Sequence, residues 1–246
     1  MIGLRNNFNM KGKKDFKDVL EEVAKNATTI VSNNATIGIM NDKGEKVEKK
    51  FITYESYIEK LFERKRSVAL QLVAPMPKMR DDLGSAILQS IYEEMRDSLT
   101  LGMFPSAIMH SILLLEYAMR IRIYQERKKA DPKAEWKHVA GLLINPLAHA
   151  LLKAGIIDKD QKADLIKFNE SIRNPYMHIN IYELTKDVTL DATSVDIVKE
   201  EVKIMKDLPV TDYPHLWFAG KKKYDAMNVL PIMNKCVDYV NEIFGK

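Results

Sequence analysis

The chain has 246 residues, 46% of them hydrophobic, so it can form one large domain or a core domain with additions, and a wholly disordered chain is excluded. Its formal net charge of +4 permits an RNA or phosphate partner without requiring one. The single cysteine, Cys236, excludes an internal disulfide framework and a cysteine-based zinc site, and we expect it in the core. No apolar run has the length of a membrane span or a signal segment, which predicts a cytoplasmic protein without membrane contacts.

The first third of the chain combines short helical and strand patterns. Apolar residues recur at helical spacing over 15–25, and residues 36–51 contain an Asn-Asp-Lys-Gly turn sequence typical of a β-hairpin. Helical spacing returns over 53–74 and ends before two prolines, which interrupt the chain. We therefore expect 1–78 to form an N-terminal α+β extension.

Helical periodicity is strongest in the next part of the chain, which we expect to form a helical core over 79–185. Four helices are predicted there in chain order, over 83–99, 107–128, 136–154 and 158–172. The short turn between the first two predicts an antiparallel helical hairpin. The third helix should be interrupted near Asn145-Pro146.

The pattern becomes mixed after the core. A helix is predicted over 194–206, an aromatic cluster follows at 213–218, and an amphipathic helix covers 225–244. We expect 186–246 to be a C-terminal helical extension that packs on the core. The predicted fold class is therefore mainly α, an antiparallel helical bundle with a small N-terminal β-hairpin addition.

The most informative segment is 173–178, which reads Arg-Asn-Pro-Tyr-Met-His. Asn174 is a favourable N-cap and the following proline suits the first helical position, so we expect a new helix to begin at Asn174. On a continuous helix, Arg173 and His178 would point about 140° apart. The expected break would let the arginine turn towards the histidine, and the open N–H groups of the helix start would favour an anion.

These residue types suit RNA cleavage without a metal. A base must remove the proton of the 2′-hydroxyl, which attacks the neighbouring phosphate, and a cation must stabilise the charged phosphorane. Histidine changes its protonation near neutral pH and can act as base or acid, whereas arginine grips phosphate oxygens in a bidentate fork. One Arg173 and one His178 supply half of an acid–base site, and a twofold dimer would supply both halves.

A second feature lies inside the apolar helix 107–128, where Glu116 and Arg120 interrupt the run Leu-Leu-Leu-Glu-Tyr-Ala-Met-Arg. Residues four apart on a helix often form an ordinary surface pair. Their position in an apolar helix points equally to burial, at an interface or near the site. Both interpretations stay open on the sequence alone.

With these residues in view, the chain resembles the HEPN superfamily over about 80–185. The resemblance rests on the helix that carries Glu116 and Arg120, and on Arg173-Asn174 followed three residues later by His178. It implies a helical bundle that dimerises with two motifs face to face. It also implies a metal-independent endoribonuclease in a toxin or phage-defence setting, which leaves a 2′,3′-cyclic phosphate end.

The resemblance further implies roles for individual residues. Arg173 and His178 would be catalytic, Asn174 would position the scissile group, and Glu116 would support the site, with Arg120 beside it. The expected partners are RNA, a second copy of the chain, and an antitoxin or regulatory protein. Some members of the superfamily only bind, so the alternative is a non-catalytic module that binds RNA, a nucleotide or a protein within a larger complex.

Other patterns carry less chemistry. The aromatic cluster with Trp217, beside Lys221 and Lys222, has two interpretations: it stacks RNA bases, or it anchors a loop on the core, which is the commoner role. No histidine has a second ligand at metal spacing and no glycine-rich phosphate loop is present, so neither a metal nor a cofactor is predicted.

Overall fold

The structure of the chain, a computed structural model, describes residues 38–40, 46–48, 54–196 and 201–245. The helix predicted over 15–25 lies outside these residues, as does the turn sequence of the predicted hairpin. The chain divides into two compact units, of which one is Met1–Ser67 with Thr189–Leu208 and the other is Val68–Val188 with Pro209–Lys246.

The described residues are mainly helical. In chain order the α-helices are α1 (Tyr54–Val73), α2 (Ala86–Thr100), α3 (Phe104–Ala130), α4 (Lys137–Ala140), α5 (Ile144–Lys153), α6 (Lys159–Phe168), α7 (Asn174–Met177), α8 (Ile181–Thr185) and α9 (Trp217–Gly245). A π-helical turn, Asn169–Arg173, joins α6 to α7. The strands are β1 (Gly38–Met40), β2 (Lys46–Glu48), β3 (Thr189–Asp196) and β4 (Glu201–Pro209). The mainly helical prediction is thus confirmed.

The first unit contains two small sheets. Strands β1 and β2 pair antiparallel with Ile39 opposite Val47, so the strands of the predicted hairpin are confirmed. Strands β3 and β4 form the second sheet, and the helix predicted over 194–206 is wrong. β-Branched residues recur through this stretch, and they favour extended backbone. The prediction of a helix took account only of the spacing of the apolar residues.

The second unit is built around α3. This helix packs against α2, α5 and α9, and its buried residues cover about two thirds of its circumference. A connection of three residues joins α2 to α3, as expected for the predicted helical hairpin. Cys236 lies on α9 and is fully buried in the same core, as predicted. The burial raises the pKa of its thiol.

Two helix boundaries differ from the prediction. The third predicted helix is split at 141–143, and Pro146 lies within the first turn of α5, where proline is tolerated because the first N–H groups have no intrahelical acceptor. Helix α9 begins at Trp217 instead of 225, so the second half of the aromatic cluster opens the helix. Near this start Gly220 lies against Val210, and a Cβ there would come within 2.5 Å of Val210 Cγ1.

Candidate functional site: a buried arginine–glutamate cluster beside an exposed histidine

The segment 173–178 does not begin a new helix, which corrects the prediction. Helix α6 continues through the π-helical turn into α7, and Asn174 has helical dihedral angles, φ −66° and ψ −47°. Its N–H donates to the carbonyl of Asn169, five residues back. The wider turn keeps the chain helical up to the proline, which has no N–H to donate. The segment therefore offers no open helix start for an anion.

The continuous helix also separates the two predicted catalytic side chains. His178 is the C-cap of α7, and its N–H donates to the carbonyl of Asn174 at 3.0 Å. This bond has α-helical spacing, and side chains five positions apart on an ideal α-helix point about 140° apart around the axis. No hydrogen bond joins them among the described residues. The expectation that Arg173 turns towards His178 within one chain is therefore wrong.

Arg173 instead faces α3, where it joins Glu116 and Arg120 in one buried cluster. Arg173 Nε donates to Glu116 Oε1 at 2.8 Å, and Arg120 Nη2 donates to Glu116 Oε2 at 2.6 Å. Arg120 Nε donates to the carbonyl of Leu142 at 3.0 Å. The three charged residues are only 6–8% exposed. Of the two interpretations of Glu116 and Arg120, burial is the observed one.

The cluster carries an excess of positive charge. One carboxylate faces two guanidinium groups, and within the described part of the chain neither arginine pairs with a second acid. The Arg120 guanidinium also lies 5.4 Å from the centroid of the Tyr117 ring, whose face attracts a cation. A buried cluster with net positive charge is suited to attract an anion at its rim.

Two of the three guanidinium nitrogens of Arg173 have a hydrogen-bond partner among the described residues. Its Nη1 donates to Asn174 Oδ1 at 3.1 Å and its Nε donates to Glu116 Oε1. Its Nη2 makes no hydrogen bond to the described residues, and the residue as a whole is 8% exposed. Glu116 and Asn174 thus fix the guanidinium and leave its third nitrogen without a partner in the described part of the chain. This geometry suits a phosphate oxygen.

His178 lies on the surface among apolar neighbours. Its imidazole makes no hydrogen bond or ion pair to the described residues, and the flanking Met177 and Ile179 are exposed. Ile179 has a left-handed φ of 53° and occupies the position after the helix C-cap that usually holds glycine. The exposed imidazole is accessible to a substrate or to a second copy of the chain.

The residues of the aromatic cluster and the lysines beside it differ in exposure and in their polar partners. Lys221 is not free, because its Nζ donates to Asp225 Oδ2 at 2.8 Å and to the Tyr176 hydroxyl at 3.0 Å. Trp217 is half-buried and Lys222 is exposed. Phe218, which the prediction did not select, is the most exposed aromatic of the cluster at 81%.

The pairing of Tyr176 with Asp225 could not be predicted. Lys221 and Asp225 are four apart on α9 and form a recognisable helical pair, but Tyr176 lies 49 residues away from Asp225 in sequence. The tyrosine lies inside the segment 173–178, between the arginine and the histidine. An aspartate at a buried position of an amphipathic helix was the available signal, because a buried carboxylate needs partners.

Within the described part of the chain, no three or more His, Cys, Asp or Glu side chains are grouped so that they could hold a metal ion. None of the helices described there is long and apolar enough to span a membrane. No protein-family model matches the chain, and no match was found among curated proteins or among solved structures.

Proposed function

We propose that the chain is a metal-independent endoribonuclease that cleaves RNA by attack of the 2′-hydroxyl and leaves a 2′,3′-cyclic phosphate. The observation that carries this proposal is the buried Glu116–Arg120–Arg173 cluster, which has a net positive charge and one arginine nitrogen, Arg173 Nη2, without a hydrogen bond to the described residues. The cluster joins Glu116 and Arg173, which are 57 positions apart in sequence. A toxin or phage-defence setting follows from the resemblance alone.

In this proposal, the contacts and burial of each side chain assign its chemical role. Arg173 Nη2 holds a phosphate oxygen and neutralises the charge that develops on the phosphorane. Glu116 and Asn174 fix the arginine so that little reorganisation accompanies the reaction. His178 moves the proton, because an exposed imidazole can reach a 2′-hydroxyl or a leaving 5′-oxygen.

A homodimer belongs to the proposal because one copy points Arg173 and His178 in different directions. Helix α3 offers a surface for it: Met109 and Leu113 are exposed one turn apart, and Tyr117 continues the same stripe half-buried. The Tyr117 ring contacts Arg120, so this stripe adjoins the charged cluster. A twofold contact there would bring a second copy close to Arg173.

A second candidate is a non-catalytic module that binds RNA, a nucleotide or a protein partner. The divergence of Arg173 and His178 on a continuous helix favours it, as does the burial of Arg173 at 8% exposure. In this case the cluster is a structural support, and Arg173 contacts a ligand that is not cleaved.

Cleavage of labelled single-stranded and structured RNAs in EDTA tests the proposal. The wild-type chain should cut and leave cyclic phosphate ends, and His178→Ala should lose roughly 100-fold or more in rate. His149→Ala is the matched control, since His149 is an exposed histidine on α5, and it should retain full activity. Light scattering on the same samples reports whether the chain dimerises.

Equal activity of His178→Ala and wild type would refute the role of His178. If a folded, dimeric wild-type chain cleaves none of the RNAs, the non-catalytic module is the better proposal. Circular dichroism of each variant separates loss of chemistry from loss of fold.

A further inference from the structure

A second polar network holds the segment 173–178 against α9. The Tyr176 hydroxyl donates to Asp225 Oδ1 at 2.6 Å, and Asp225 is only 3% exposed. Lys221 Nζ donates to Oδ1 and Oδ2 of the same carboxylate at 3.0 and 2.8 Å, and it also donates to the Tyr176 hydroxyl. The ammonium lies 4.4 Å from the centroid of the Tyr176 ring. Tyr176 on α7 is thereby fixed to α9.

This network is closed, unlike the arginine cluster. The charges of Lys221 and Asp225 cancel, and burial together with the Asp225 carboxylate raises the pKa of Tyr176, so the phenol stays neutral. Each polar atom of the three side-chain ends has a partner within the network. The network therefore needs no external ligand, and its effect must be on the chain that it holds.

The position of the Tyr176–Asp225–Lys221 network shows that it holds the part of the chain just before His178. Arg173 is fixed to α3 by Glu116, and among the described residues Tyr176 is the next side chain of the segment with a polar contact to another helix. His178 follows two residues later with no side-chain hydrogen bond to the described residues. Within the described part of the chain, the backbone rather than a polar side-chain partner places its imidazole, and Ile179 follows with φ 53°.

We propose that Tyr176, Asp225 and Lys221 are positioning residues that hold the segment carrying His178 against α9 and so fix the place of its imidazole. As a statement about catalysis, this rests on the proposed ribonuclease function. None of the three residues is assigned contact with RNA. Loss of the network should lower the rate of the chemical step and leave substrate binding unchanged, because misplacing a reacting group by about 1 Å can cost roughly 100-fold.

The chain offers a matched control for the test. Tyr239 also donates its hydroxyl to an aspartate at 2.6 Å, Asp164 Oδ2, and Lys235 donates to Oδ1 of that aspartate at 2.7 Å. Tyr239 and Lys235 lie on α9, but this second Tyr–Asp–Lys network holds α6 rather than the segment 173–178. Tyr176→Phe and Tyr239→Phe therefore remove the same hydroxyl from networks of the same composition.

Two measurements are made on the full chain: kcat and KM for RNA cleavage in EDTA, and amide hydrogen exchange over 174–182. Tyr176→Phe should lower kcat between about tenfold and 100-fold at unchanged KM and speed exchange of the His178 amide. Tyr239→Phe should change neither. Asp225→Asn should act in the direction of Tyr176→Phe.

The outcomes separate this inference from the proposed function. If the wild type cleaves RNA and Tyr176→Phe keeps its kcat, or both tyrosine variants lose it equally, the positioning role is refuted. If the wild type cleaves nothing, the proposed function fails and hydrogen exchange decides alone. In that case, exchange at 174–182 that is faster in Tyr176→Phe but not in Tyr239→Phe supports the conclusion that the network holds His178 in place. Unchanged exchange in Tyr176→Phe refutes that conclusion.

Discussion

Replacing Glu116 should destabilise the protein far more than replacing a surface glutamate. Glu116→Gln keeps the size and one acceptor oxygen but leaves Arg120 and Arg173 buried without a counter-charge. Breaking a buried ion pair by removing one partner costs about 3–5 kcal/mol, and hydrogen bonds to charged groups contribute about 1.5–3 kcal/mol each. The remaining amide oxygen offsets part of this, so we expect a loss of about 2–4 kcal/mol in unfolding free energy.

The matched control is Glu126→Gln on the same helix. Glu126 accepts from Lys129 at 2.8 Å and pairs with Arg122 at 3.2 Å, but its side chain is more exposed. Surface pairs contribute about 1 kcal/mol at most, so this change should be small. Urea unfolding of both variants gives the two free energies. If Glu116→Gln costs no more than Glu126→Gln, the cluster is not the buried unit described above.

Three further predictions concern the segment 173–178 and its surroundings. Ile179→Gly should raise the unfolding free energy by about 1 kcal/mol, because it removes the left-handed strain of a residue that is 71% exposed. Ile179→Ala, which keeps the Cβ, should not. Burial and the nearby Asp225 raise the pKa of Tyr224 to about 12. Because unfolded tyrosine ionises near 10, urea midpoints should fall as pH rises from about 10 to 12, and less steeply in Tyr224→Phe. A pH-independent difference between the two proteins would contradict this. RNA cleavage per molecule should fall when the protein is diluted until dimers dissociate, and a constant specific activity would show that one copy suffices.

Local patterns predicted most helices of the second unit because their apolar faces are also their buried faces. The helix expected over 107–128 is observed as Phe104–Ala130, and the next predicted start near 158 is observed with Asp158 as N-cap and a reciprocal bond to Gln161. Capping depends on neighbours in sequence, so a sequence contains the needed information. Pairing of Tyr176 with Asp225 depends on how α7 and α9 pack, which no local pattern determines.

The helix break expected at Asn174 shows how two sound local rules can fail together. An asparagine before proline favours an N-cap, and proline disfavours the interior of a helix. The π-helical turn removes the conflict by inserting a wider turn immediately before the proline. It also places Asn169 and Arg173 at buried positions, where the arginine reaches Glu116. The irregular turn therefore occurs together with the ion pair between Arg173 and Glu116 on α3. A rule based on adjacent residues cannot take this distant ion pair into account.

The two networks together constrain the geometry of the proposed catalytic site. Glu116 holds Arg173 against α3 and Asp225 holds Tyr176 against α9, so the helix between them cannot rotate without breaking one buried network. On an ideal helix, positions five apart, such as Arg173 and His178, point about 140° apart. In the proposed site, a phosphate held by Arg173 would be served by an imidazole from elsewhere. Since the exposed stripe of α3 adjoins the cluster, the second copy of a twofold dimer is the source of that imidazole most consistent with the geometry.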